Sequence, residues 1–137
     1  MVVHRVAEPD PIEVVRSAWE AYAAGDLEEA LRFLSPEIVW YTAADYPGAT
    51  IYRGHEGIRA WVEWIVSTFS TYRMEVTGYR DLGDCVLAHG LLYAEVDGET
   101  VIDRVTVWRC RVQDGLIVQV HADAVKPDSV GAWVHSS

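Results

Sequence analysis

The chain has 137 residues, half of them apolar and 11% aromatic, which suits one globular domain with its own core and excludes a disordered chain. Against 11 Lys and Arg stand 21 Asp and Glu, a net charge of −10. No basic face is available to neutralise phosphates, so nucleic acid and anionic membrane surfaces are disfavoured partners. No run approaches the ~18 apolar residues of a membrane span, and Met1 to Asp10 is acidic without an apolar h-region, so a cytoplasmic protein is expected.

The first half reads as helices. Asp10-Pro11-Ile12-Glu13 is a helix start, with Asp10 as cap, Pro11 in the first turn and Glu13 completing a capping box. Ile12, Val15, Trp19 and Tyr22 then share one face, and Gly25 ends the helix. Asp26 caps a second helix with a stripe of Leu27, Ala30, Leu31 and Leu34, stopped by Ser35-Pro36. Glu37 to Thr42 is β-branched and aromatic and reads as a strand. Residues 43–50 contain Pro47-Gly48 and read as a loop. A third helix is expected from about His55 to Phe69, with Ile58, Trp61, Val62, Ile65 and Phe69 inward.

The second half reads as a meander. Tyr72 to Arg80, Cys85 to Glu95, Thr100 to Val112 and Leu116 to Val125 are strands, separated by Leu82-Gly83-Asp84, Asp97-Gly98 and Asp114-Gly115. Helices upstream and hairpins downstream make an α+β domain, with a core over residues 11–125 and a tail over 126–137. Within the tail, Val130, Trp133 and Val134 are candidates to fold over the domain or over a partner. Cys85 and Cys110 lie in strand-like runs without metal-ligand spacing, which reads as buried free thiols in a reducing compartment.

Strand alternation assigns faces. Cys85, Leu87, His89, Leu91 and Tyr93 share one face of their strand; Ile102, Arg104, Thr106, Trp108 and Cys110 share one face of the next. In the last strand, Leu116, Val118, Val120, Ala122 and Ala124 oppose Ile117, Gln119, His121 and Asp123. Much of both faces is apolar, and helices in so short a chain cover only one. The other face, with Val105, Val107, Val118 and Val120, is expected to meet a second copy, giving a homodimer.

Four segments appear in order: Tyr22-Ala23-Ala24-Gly25-Asp26-Leu27, Pro36-Glu37-Ile38-Val39-Trp40, Tyr52-Arg53-Gly54-His55-Glu56-Gly57-Ile58-Arg59 and Asp114-Gly115-Leu116-Ile117. Together they resemble the nuclear transport factor 2-like superfamily, in its SnoaL-like branch, over about residues 11 to 125. The resemblance implies three helices packed into the concave face of a curved, mostly antiparallel sheet, a cone-shaped α+β barrel with a pocket inside. Its members include polyketide cyclases, ketosteroid isomerases, limonene epoxide hydrolases and proteins without enzymatic activity, so the reaction must be argued from the site.

Residue by residue, the isomerase pattern is largely missing. Its helix tyrosine falls on Ala18 and its base on Tyr41, while Asp103 lies four residues too far from Gly115 for the third position. The epoxide hydrolase Arg-x-Asp spacing fails at Thr106, although Arg104 and Asp123 resemble members of that set. The acid of the SnoaL-type cyclases falls on Ala122, between His121 and Asp123; a one-residue bulge would bring Asp123 into its place.

Polar residues on apolar strands are the candidates for chemistry. Asp123 paired with Arg104 or His89 at the pocket floor, with His121 beside it, would be a desolvated acid or base. The same residues also fit a strand-end polar pair, a core histidine and a structural ion pair. Asp45 borders the pocket mouth in this fold; His4, His55 and His135 are given no role. No His, Asp or Glu set has metal spacing, so neither metal nor other cofactor is proposed. Six Trp and seven Tyr against two Phe favour a wall that binds a flat or cyclic apolar molecule. Its candidate members are Trp19, Tyr22, Trp40, Tyr52, Trp61, Ile65, Tyr93 and Trp108. The expected activity is acid/base catalysis on such a molecule by a cyclase, isomerase or hydrolase; a binding protein and a dimerisation module are the alternatives.

Overall fold

The structure, a computed structural model, describes residues 10–43 and 46–124; Asp45 and the tail from 126 onward lie outside the described residues. The elements are α1 (Pro11–Ala23), α2 (Leu27–Leu31), β1 (Leu34–Tyr41), β2 (Ile51–Arg53), α3 (Gly54–Thr68), β3 (Thr71–Asp81), β4 (Val86–Val96), β5 (Glu99–Gln113) and β6 (Leu116–Ala124). The Asp10 and Asp26 carboxylates accept from Ile12 N and Glu29 N, both at 3.0 Å, and thereby start α1 and α2.

The strands form one six-stranded sheet in the order β2-β1-β6-β5-β4-β3. All pairs are antiparallel except β1 with β6. The sheet is curved but not closed, because β2 and β3 are its two edges. The β4–β5 and β5–β6 turns work as their sequences imply. Asp97 and Gly98 sit at φ 52° and 82°, Asp114 and Gly115 at 53° and 76°, the left-handed pair a tight hairpin needs.

Two boundaries differ from expectation. The second helix ends at Leu31, and Leu34 already belongs to β1. Pro36 therefore lies inside a strand, at the register shift between Leu34 and Val39 where the ladder to β6 is interrupted and its missing N–H costs nothing. The segment before α3 adds a short strand, β2, paired to the end of β1.

The inner face carries the core. Trp40 on β1, Ala88 and Leu92 on β4, Trp108 and Cys110 on β5, and Ile117 and Val120 on β6 are buried against Val15, Ala18 and Trp19 of α1 and Ile58, Trp61 and Ile65 of α3. A β-bulge at Val118 sets the parity of β6: Arg111 pairs Gln119, but Val112 pairs Ile117. Ile117 and Val120 are thus both fully buried. This corrects the expected assignment of Val120 to the outer face.

Candidate functional site

Tryptophans make the wall of the interior. Trp19 lies edge-on to Trp108 at 5.4 Å and tilted to Trp40 at 5.8 Å. Trp40 meets Trp61 at 5.0 Å, and Tyr52 stacks on Trp61 at 5.0 Å. Between this wall, α1 and α3 lies an apolar cavity of about 50 Å³, bordered by Trp19, Tyr22, Trp40, Trp61, Ile65 and Met74. Tyr22, Leu27, Val62 and Met74 also border a wider mouth of about 460 Å³, which reaches Tyr72, Arg73 and Glu75 on β3. Deeper under the sheet is a small chamber of about 10 Å³, bordered by Tyr46, Tyr72, Arg104, Thr106, Trp108 and Ala122.

Polar groups in the interior are few. Trp61 Nε1 donates to Tyr46 Oη at 3.1 Å, and Tyr46 Oη and Tyr72 Oη are 2.9 Å apart. Burial pushes the Tyr46 hydroxyl up to about 12 and raises the Tyr72 hydroxyl as well, so both stay protonated near neutrality. Burial also raises Tyr22 at the mouth. Arg104 is half-buried on the inner face of β5 beside Thr106, which donates to its carbonyl at 3.3 Å. The Trp19 indole N–H is buried and has no hydrogen-bond partner among the described residues.

The expected cluster at the pocket floor is not assembled. Asp123 and His121 lie on the opposite, outer face of β6. Asp123 is 56% exposed and accepts from Arg109 Nη2 at 3.2 Å; a pair this open contributes about 0–1 kcal/mol. His121 packs its ring on Tyr41 at 4.2 Å, and its Nδ1 is 3.4 Å from the same Arg109 nitrogen. β6 does carry a bulge, at Val118, but it turns Asp123 outward and leaves Ala122 on the inner face, bordering the deep chamber.

His89 is likewise on the outer face, paired with Val107 on β5 and Gly78 on β3. Its ring lies over Gly78, where an added Cβ would come within 2.4 Å of Nε2, and burial lowers its pKa, with Arg80 adding to the effect. Tyr93 also leaves the expected wall. It is outside, under the Arg73 guanidinium at 4.8 Å, with its hydroxyl on Glu95 and Thr100. The common reason is parity: these residues alternate with Ala88, Leu92, Trp108 and Ala122, which the helices cover.

Of the expected residues, the interior therefore gathers Trp19, Tyr22, Trp40, Tyr52, Trp61, Ile65, Trp108 and Arg104. Sequence reasoning missed Tyr46, Tyr72 and Met74. Alternation of Tyr72, Met74 and Val76 along β3 carries the signal for two of them; Tyr46 sits in a loop with no periodicity.

A half-cone of sheet closed by three helices around an aromatic interior defines a small-molecule-pocket class of α+β protein. Residues 15–120 match the family model of the SnoaL-like domain, and the chain belongs to that family, whose members include cofactor-independent cyclases and isomerases. Solved structures agree in fold. An NTF2-like protein from Burkholderia thailandensis is 21% identical with a TM-score of 0.77, over 90% of this chain and 96% of that one. TerC, co-crystallised with polyporic acid, is 18% identical at 0.73, over 93% and 98%. A loop-truncation variant of IdmH is 22% identical at 0.66, over 93% and 100%. No curated protein matches the chain.

Among the described residues, no helix is long and apolar enough to cross a membrane. No group of three or more His, Cys, Asp or Glu is placed to hold a metal ion there either.

Proposed function

We propose that the protein binds a small, apolar, cyclic organic molecule between α1, α3 and β3. The observation that carries this reading is that Tyr22, Leu27, Val62 and Met74 border both an apolar cavity and a much wider mouth beside it. Magnitudes decide where a ring sits. A closed apolar cavity that takes up benzene measures ~150 Å³, three times the inner cavity here. The mouth of about 460 Å³ falls within the roughly 300–1,000 Å³ of ligand sites. The ring occupies the mouth, and only its edge enters the tryptophan cavity. Co-crystallisation of the structurally similar TerC with polyporic acid supports the same use of this fold.

A catalytic reading, in which the protein cyclises, isomerises or hydrolyses that molecule, is favoured by Arg104, the charged side chain bordering the deep chamber. In that reading Arg104 orients or polarises the substrate, and Asp123, His121 and His89 take no part, because the sheet separates them from the ligand.

Indane serves as the apolar probe, its binding followed by calorimetry. Val62→Trp fills the mouth on a half-buried helical position and should weaken indane at least about tenfold, the factor set by losing ~1.4 kcal/mol of apolar burial. Asp123→Asn should leave it within twofold. Equal binding to Val62→Trp and the parent protein overturns the site, provided both show the same circular dichroism.

The proposal extends to a homodimer through the outer sheet face. Val101 and Val105 are exposed there, beside Leu87, Leu91 and Val107. Arg109, His121 and Asp123 form a polar edge to this apolar centre, the usual layout of an interface. Val105→Asp should convert the dimer to a monomer in multi-angle light scattering; an unchanged mass removes this face from the interface.

A further inference from the structure

The outer face of β5 is charge-polarised along its length. Asp103, Val105, Val107 and Arg109 alternate onto this face, beside Tyr93, Leu91, His89 and Leu87 of β4, and Arg111 follows. An acid stands at one end, two valines in the middle and two arginines at the other end. Asp103, Arg109 and Arg111 are exposed. Arg109 holds Asp123, while Asp103 and Arg111 form no ion pair among the described residues. The basic end is also concave. Asp84, Cys85, Arg109, Arg111, Gln119 and His121 border a cleft of about 360 Å³, in which one carboxylate, Asp84, stands against two guanidiniums.

Symmetry turns this pattern into a register. Each copy carries a net charge of −10, so two copies repel unless their contact surfaces are locally complementary. A two-fold association brings the same patch to both sides, residue i meeting j and j meeting i. With the axis along the strands, β5 lies parallel to its partner; Asp103 then meets the partner's Asp103, and Arg109 meets the partner's Arg109. With the axis across the strands, β5 lies antiparallel to its partner. Asp103 and Arg109 each stand three positions from Thr106, about 10 Å along the strand. An axis at the level of Thr106 therefore sets the acid of each copy over the arginine of the other. Val105 then faces the partner's Val107, and on β4 Tyr93 faces the partner's Leu87, so the apolar centre is matched as well as the charges.

We infer that a second copy docks on this face with its β5 antiparallel to the first, about an axis crossing the strands at Thr106, so that Asp103 of each protomer enters the basic cleft of the other and pairs with the partner's Arg109 and the partner's Arg111. This inference rests on the proposed dimer face and fixes the register and polarity with which two copies meet.

The test reverses each charge alone and then mixes the variants. The parent protein should run as a dimer in multi-angle light scattering. Asp103→Arg sets an arginine against the partner's Arg109, and Arg109→Asp sets an aspartate against the partner's Asp103. Each variant should bind itself at least about hundredfold more weakly, about tenfold for each of the two symmetric pairs, and run as a monomer. Mixed in equal amounts, the two variants should recover the dimer mass, because a heterodimer restores both pairs; the recovery also reports that both are folded. Single variants that stay as dimeric as the parent, while Val105→Asp is monomeric, overturn the register and leave the face standing. Variants with the parent's circular dichroism that fail to associate on mixing also overturn it. A monomeric parent overturns face and register together.

Discussion

Trp108→Ala should destabilise the fold by about 3–5 kcal/mol, the range for truncating a fully buried aromatic, and urea titration of the circular dichroism signal measures it. Trp108 is 1% exposed and among the largest side chains fully inside the protein. Its neighbours across the two ladders are Ala88 on β4 and Ala122 on β6. One large ring is flanked by two methyl groups, so neither directly paired residue can fill the space. Trp19 rests edge-on against it at 5.4 Å, fixed by α1 and unable to follow without moving the helix. A hole that cannot collapse places the loss at the high end of the range. Against a total stability of ~5–15 kcal/mol, this is a large fraction. A loss below about 1 kcal/mol would mean that the tryptophan cluster repacks freely and is no rigid wall. The same alanine pair bears on function. Ala122 lies where the resemblance to the cyclases places an acid, and here it makes room for an indole.

The elements with local causes were legible in the amino-acid sequence. Asp10 and Asp26 announce two helix starts because capping is a contact over two or three residues. Asp97-Gly98 and Asp114-Gly115 announce hairpins because the left-handed backbone is a property of the dipeptide itself. Pairings between distant segments carry no such signature. The parallel ladder of β1 with β6 joins Trp40 to Val120 across 80 positions of chain, and it is this ladder that draws Leu34 out of the second helix and into a strand. β2 is a strand only because β1 offers it an edge.

The candidate site was legible as composition and opaque as orientation. Alternation groups residues within each strand, but the expected meeting of Asp123 with Arg104 or His89 does not form; His121 and Asp123 face Arg109 instead. Alternation does not say which group the helices cover. The choice falls to packing: ionised Asp123 and Arg109 keep their hydration outside, while Trp108, Cys110 and Val120 gain by burial inside. Tyr46 and Tyr72 lie 26 positions apart, and their hydroxyl pair is a product of tertiary structure.

Gly90→Ala should cost about 3 kcal/mol or more, the upper end of overpacking where backbone rather than a side chain must yield. A Cβ at Gly90 would stand 1.8 Å from the Glu75 carbonyl oxygen and 2.8 Å from Val76 Cα. Both are main-chain atoms of β3, at the edge of the bulge where Val76 pairs Gly90 but Gly78 pairs His89. β3 passes so close there that the strands must separate to admit one methyl group. The consequence reaches the ligand site, because β3 also carries Tyr72 and Met74 into the wall of the mouth. Chemical denaturation should report the lost stability, and calorimetry should report weaker indane binding in whatever fraction stays folded. Gly83→Ala is the matched control: it lies in the β3–β4 turn at φ 96° with nothing within 4 Å of an added Cβ. It carries only the backbone penalty of about 1–2 kcal/mol for a left-handed alanine and should leave indane affinity unchanged. Equal costs for the two substitutions would mean that β3 tolerates displacement at its bulge, and the close approach of the two strands would no longer account for the shape of the pocket.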